Sequence, residues 1–275
     1  MPKQIFASII LALFYADGSW LNELTSMDHF VDANTINLSY VGADPNVIEN
    51  NTTWPLTETQ RTDGGTVVAL STFDTEPTHV TNVEELETNY QKCESVLRQH
   101  ADALREHACI SAAYNISPAN SNFATSGAPR SDGNFKMTYN DILRMRTEFN
   151  KQKCPMNGRI VLLSPEHEED LLSEDANRYH LMMQTGSIAG FKVYTFTDNP
   201  QYNTYGAKQP KGTNNQQPSS VFFHKNLVMR AMGDIEGEPE KRWADYRGWL
   251  IGLQMRFVAL PMRANQGVLA MYSGR

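Results

Sequence analysis

The sequence predicts an α+β protein with an extended β arm, one long helix and a compact α/β region. Three observations carry that reading. Runs with an apolar–polar period of two cluster in residues 36–80 and again in the last part of the chain. A single stripe with helical period fills 83–113, and helices alternate with strands from 136 to 235. The chain has 275 residues, 40% hydrophobic and 20% charged, enough to bury a sizeable core. Lys and Arg number 24 against 31 Asp and Glu, a net charge of −7. That balance argues against a dedicated nucleic-acid grip, which presents a basic face.

Residues 1–35 read as an N-terminal arm. Met1-Pro2-Lys3 leads into an apolar run from Ile5 to Ala16 that superficially resembles a signal peptide. Only one Lys precedes it, and Phe14-Tyr15-Ala16-Asp17-Gly18 makes a poor small-x-small cleavage site. The run is also too short to span a bilayer, so an apolar helix docked on a partner surface is expected, and no membrane partner. Residues 36–80 read as a β-hairpin arm projecting from the body. Ile36 to Val41 alternates, and Leu56 to Arg61 and Thr66 to Phe73 flank Asp63-Gly64-Gly65, whose glycines suit a tight hairpin turn.

Residues 81–135 hold the long helix and a loop. Thr81 with Glu84 forms a capping box, and Leu86, Tyr90, Cys93, Leu97, Ala101, Leu104 and Ala108 line one stripe. A helix running to Ala113 is a rod roughly 45 Å long at ~1.5 Å per residue. Ser117 to Asn134, rich in Pro, Asn, Ser and Gly, reads as surface loop. In residues 136–235, Thr138 with Asp141 caps a helix carrying Ile142, Leu143, Met145 and Phe149. Arg159 to Leu163 is a buried strand. Ser164-Pro165-Glu166 then starts a helix with Ser as cap and Pro at the first position. Gly186 to Gly190 turns into the strand Phe191 to Phe196, Tyr202 to Gln217 is a polar loop, and strands resume at Ser220 to His224 and Leu227 to Met232. Residues 236–275 return as strands at Trp249 to Leu260 and Val268 to Tyr272.

Chemistry is hard to find. Walker A, G-x-G-x-x-G, G-x-S-x-G and H-E-x-x-H are all absent. His167 sits in Glu166-His167-Glu168-Glu169-Asp170, where acids in a first helical turn stabilise the helix dipole without any ligand. His100 and His107 lie two turns apart on the long helix, about 10 Å, too far to share one zinc ion. The three cysteines, Cys93, Cys109 and Cys154, form no short-range pair and read as reduced thiols. No catalytic, cofactor-binding or metal-binding residue is assigned, and no enzyme activity or cofactor is expected.

The order of elements, together with Thr35-Ile36-Asn37-Leu38, Gly42-Ala43-Asp44-Pro45-Asn46-Val47, Ile160 to Glu166, Gly190 to Tyr194 and Tyr246-Arg247-Gly248, resembles the major capsid proteins of tailed bacteriophages. These share the Hong Kong 97-type coat fold with herpesvirus floor domains and encapsulin shells, and the local sequence is closest in feel to coat proteins of phages of Bacteroidetes. The resemblance implies a virion shell subunit, made and assembled in the host bacterial cytoplasm. It would build hexamers and pentamers of an icosahedral shell around double-stranded DNA, touched weakly and without sequence specificity. On that reading 36–80 is the arm known as the E-loop, 81–135 the P-domain spine, 136–235 the axial A-domain, and 236–275 returns to the P-domain. Portal, a separate scaffold and decoration proteins are the further partners it implies.

Subunit-interface candidates then fall in three places. Ile5, Phe6, Ile9, Phe14 and Trp20 belong to the N-terminal arm. Trp54, Arg61, Asp63, Gly64 and Gly65 belong to the hairpin, and Tyr202 and Tyr205 to the polar loop. Two alternatives remain open: an encapsulin-like compartment that holds an enzyme, and an intracellular α/β enzyme acting near Leu163-Ser164 or Gly186 to Gly190.

Overall fold

The computed structural model describes residues 20–32, 35–40, 49–52, 54, 64–81, 91–213, 216–237, 240–242, 247–263 and 266–274. Before the long helix come β1 (Thr25–Ser26), β2 (Val31–Asp32), β3 (Thr35–Tyr40), β4 (Gly64–Ala69), β5 (Ser71–Asp74) and β6 (Thr78–Thr81). The long helix is α1 (Gln91–Ile116), and α2 (Tyr139–Lys151), β7 (Arg159–Leu163), α3 (Pro165–Glu174) and α4 (Ala176–Thr185) follow. The chain continues through β8 (Ser187–Ile188), β9 (Phe191–Thr195), β10 (Ser219–His224), β11 (Val228–Glu236) and β12 (Glu240–Arg242). It ends on β13 (Gly248–Ile251), β14 (Gln254–Pro261) and β15 (Val268–Tyr272).

Two sheets share α1. The α/β sheet has the order β15-β10-β7-β9-β8, with β7 and β9 parallel. Strands β7 and β10 are buried end to end, as strands covered on both faces must be. Alternation along β7 and β10 sends Ile160, Leu162, Val221 and Phe223 to one face, where they join Leu97, Leu104, Ala108 and Ala112 of α1. Val161, Leu163 and Phe222 go to the other, against Ile142, Met145 and Phe149 of α2 and Leu171 of α3. The second sheet, β1-β11-β14-β5, lays Met255, Phe257 and Ala259 in the same cluster as α1. At ~1.5 Å per residue the described helix is about 39 Å long, and the two sheets supply the surface that so long a rod needs.

Local signals produce the expected starts. Thr138 and Asp141 form a reciprocal capping box at α2, and Ser164 caps α3 with Pro165 in the first turn. Gly186 ends α4 at φ +62°, the left-handed C-cap. Leu143, expected among the apolar residues of α2, lies at its surface. Thr81 ends β6, and Glu84 lies outside the described residues.

Several expectations need correction. Gly64 and Gly65 make no turn: they pair with Tyr40 and Ser39 in the antiparallel β3–β4 ladder. The partner of this arm is therefore residues 35–40, and Leu56 to Arg61 lies outside the described residues. The base of the hairpin is anchored, with Ile36 and Leu70 buried against Met229, Ala231 and Val258 of the second sheet. Pairing crosses the boundary expected at 235 in both directions. β11 belongs to the sheet beside the long helix, whereas β15 pairs with β10 in the α/β sheet.

Candidate assembly surfaces

Of the arm residues, 20–32 pack on their own chain. Trp20 is 4% exposed, its ring 5.9 Å from Phe196 and 6.0 Å from Phe223. Thr25 and Ser26 pair in parallel with Met229 and Arg230. Lys192 donates to Glu23 Oε1, as does the Tyr194 hydroxyl at 2.9 Å, and the Lys192 bond holds the Glu23 carboxyl below its ordinary pKa. Trp20 is thus a core residue and offers a neighbour no side-chain surface. Ile5, Phe6, Ile9, Phe14, Arg61 and Asp63 lie outside the described residues.

Tyr202 is corrected in the same way. It is fully buried, stacks on Tyr272 at 5.9 Å and donates its hydroxyl to Pro118 O at 2.7 Å. Burial pushes that phenol upward from its ordinary pKa. Three residues on, Tyr205 is 91% exposed. The candidate Trp54 is 75% exposed, and Phe30 and Val67, not singled out in the sequence, are also strongly exposed, Val67 opposite Asn37 on the side of the hairpin away from Ile36. Leu181 and Met183 are exposed on α4. A groove of about 590 Å³ runs between β5 and α1, lined by Phe73, Glu76, His100, Leu104 and His107 among others.

The polar loop is tied to the C-terminal end of α1. Lys208 Nζ donates to Tyr114 O at 2.9 Å and Ser117 O at 2.8 Å, and lies 4.4 Å from the Tyr114 ring centre. Lys211 Nζ donates to Ser111 Oγ at 3.0 Å. A helix C-terminus carries unpaired carbonyls and partial negative charge; Lys208 bonds two carbonyls there, and Lys211 adds a second positive charge. Burial lowers the pKa of each lysine.

The interior polar groups are sealed. His167 is fully buried, with Nδ1 2.7 Å from Ser220 Oγ and Nε2 2.9 Å from Ser273 Oγ. Desolvation, then the charge of Arg130, push its pKa down to about 3. The pair has the spacing of a nucleophile and base, but His167, Ser220 and Ser273 are all closed to solvent and no substrate reaches them. Ser164 serves as a helix cap, and Ser187 bonds its neighbour Thr185 at 3.3 Å. Arg130 meets Asp170 in a buried ion pair, adds a bond to Glu166 O at 2.9 Å, and Met137 N donates to Asp170 at 2.8 Å. Together these bonds fasten the 117–137 loop to α3. Among the described residues no cluster of three or more His, Cys, Asp or Glu is placed to hold a metal, and no helix is long and apolar enough to cross a membrane.

The long helix on two sheets, the anchored two-stranded arm and the α/β layer are the parts of the Hong Kong 97-type capsid fold, and the chain has that fold. It superposes on the capsid of Ralstonia phage GP4 with a TM-score of 0.62 at 12% identity, covering 92% of this chain and 87% of that one. The capsid of Helicobacter pylori bacteriophage KHP30 gives 0.61 at 11% identity, over 94% and 92%. A virus-like particle from Pyrococcus furiosus gives 0.62 at 8% identity and spans 98% of both chains. No family model matches the sequence, and no curated protein does. These neighbours lend no support to the expected leaning toward phages of Bacteroidetes.

Proposed function

We propose that this protein is the major capsid protein of a tailed phage, a subunit that assembles with copies of itself into hexamers and pentamers of a closed icosahedral shell. The observation that carries the proposal is the agreement of fold over more than nine-tenths of the chain with shell proteins, at TM-scores near 0.6. Within it, α1 is the spine, β3 and β4 form the base of the extended arm, and the α/β sheet with α2 to α4 faces the capsomer axis. The net charge of −7 suits a container, since packaged DNA is enclosed without being gripped through its phosphates. Portal, scaffold and decoration proteins are its proposed partners, and assembly takes place in the host cytoplasm before the subunit becomes part of a virion.

A second reading is favoured by one observation: the Pyrococcus furiosus particle matches over 98% of both chains. On that reading the shell is a compartment filled with protein. Native mass by light scattering, with negative-stain imaging of the purified protein, tests both. Closed particles or rings of five and six support a shell, and nucleic acid inside rather than a cargo protein selects the virion. A monomer that persists with concentration, crowding and added scaffold removes the shell reading altogether.

A further inference from the structure

We propose that copies of this protein meet head to tail through their α/β layers, the basic turn after α2 of one copy resting on the acidic outer face of α3 of the next. The inference rests on the shell reading and names the contact that closes a ring of copies. Charge in the layer is sorted along the chain. Residues 143–158 hold four Lys or Arg and one acid, Glu148, which accepts from Lys151 at 2.6 Å. Residues 165–175 hold six acids and no Lys or Arg. Arg178, the next cation in sequence, is already paired with Asp175 at 3.2 Å.

The fold sends the two stretches to opposite ends of the layer. Lys225 N donates to Gly158 O at 2.9 Å, and Arg159 donates to Asn150 Oδ1 at 2.8 Å, so Lys151, Lys153 and Lys225 gather where β7 begins. Ser164 caps α3 directly after β7, and Thr195 Oγ1 donates to Glu168 Oε2 at 3.0 Å where β9 ends. Between the two ends runs β7, about 16 Å at ~3.3 Å per residue. Each end also has an apolar centre. Met156 is half exposed in the basic turn, and Leu172 is 43% exposed on α3. Glu169 stands between Glu166 and Leu172 at helical spacing, and all three face solvent. Lysines gathered at one end repel one another, as do the glutamates at the other. Bringing the ends of two copies together relieves both and covers two exposed apolar side chains. DNA answers only the basic end and makes no use of Met156, whereas a second copy answers both. Because the two patches differ and lie at opposite ends of one layer, the contact repeats around an axis until a ring closes.

Charge reversal with rescue tests the contact. Lys153 and Glu169 are exposed, so Lys153→Glu and Glu169→Lys leave the fold intact, which circular dichroism checks. Each reversal alone is expected to raise the protein concentration needed for assembly, read by light scattering, at least about tenfold, because it sets like charges against each other. The double reversal restores opposite charges and should return that concentration to within about threefold of wild type. Single variants that assemble at the wild-type concentration overturn the contact, and so does a double variant no better than the worse single one. Both results leave closed wild-type particles, and with them the shell reading, standing. A wild-type monomer under every assembly condition sinks both. Should Lys153→Glu impair assembly only when DNA is present, with no rescue by Glu169→Lys, the basic turn serves DNA and the proposal is overturned.

Discussion

At the scale of single residues, His167 carries a pH dependence with a fixed sign. Its imidazole is held neutral between Ser220 and Ser273, with a pKa of about 3 against 6.5 for the free side chain. The unfolded chain takes up a proton as pH falls through 6.5, and the native chain does so only near 3. Stability is therefore lost with acidification across that window, by about 2 kcal/mol from this residue at pH 5. Burial also lowers the pKa of His100 and His224, so their contributions add with the same sign. Urea unfolding at pH 7 and pH 5 should show a smaller loss for His167→Gln than for wild type; equal losses would falsify the role given to His167. Asp170 makes a second residue-scale case. Replacing it by Ala leaves the Arg130 guanidinium, 14% exposed, without its carboxylate, and frees the N–H of Met137. A loss of about 3–5 kcal/mol is expected in the same unfolding measurement, the usual cost of stranding one member of a buried pair.

At the scale of elements, the described part of the polar loop, 202–213, is tied to the C-terminal end of α1 through Lys208 and Lys211. Gly206 and Gly212 share nearly the same backbone conformation, at φ +76° and +75°. A Cβ at Gly206 would stand 2.0 Å from Ser121 O, while one at Gly212 meets nothing within 4 Å. Gly212→Ala should lower stability by about 1 kcal/mol through strain alone. Gly206→Ala must in addition push the 117–137 loop away, so its thermal midpoint should fall several times further. Elements whose cause is local were legible in the sequence: the Thr138–Asp141 box, the Ser164-Pro165 start and the apolar run of β7. The polar loop hid its buried tyrosine because Tyr202 is satisfied by Pro118, 84 residues away in the chain. The arm misled for a related reason. Its glycines are also compatible with a strand, and the choice of 35–40 as partner is set by Ile36 and Leu70 packing on another sheet, a preference that no hairpin signal encodes.

At the scale of the whole molecule, the parts are held together by segments far apart in sequence. Residues 20–26 reach from Phe196 and Phe223 in the α/β layer to Met229 in the other sheet. Trp20→Ala should cost about 3–5 kcal/mol, the range for deleting a buried aromatic side chain. Because Trp20 contacts the α/β layer, amide exchange in β9 and β10 should speed up with it, and unchanged exchange there would count against the latch. Element order alone pointed to the correct fold, since long helix, hairpin and alternating layer are each readable by period. The exchange of β11 and β15 between sheets was not readable, because the period of a strand shows which residues share a face and not which strand lies beside it. That exchange has a consequence for synthesis. The α/β sheet is built mostly from residues 159–224, yet one of its edge strands, and one of the two serines that meet His167, come from 268–273. A ribosome delivers those residues about 45 positions after β10, at ~5–20 residues per second. For those seconds β10 lacks its neighbour on that side and His167 lacks one of its two serine partners, so the layer can close only once translation has passed Ser273.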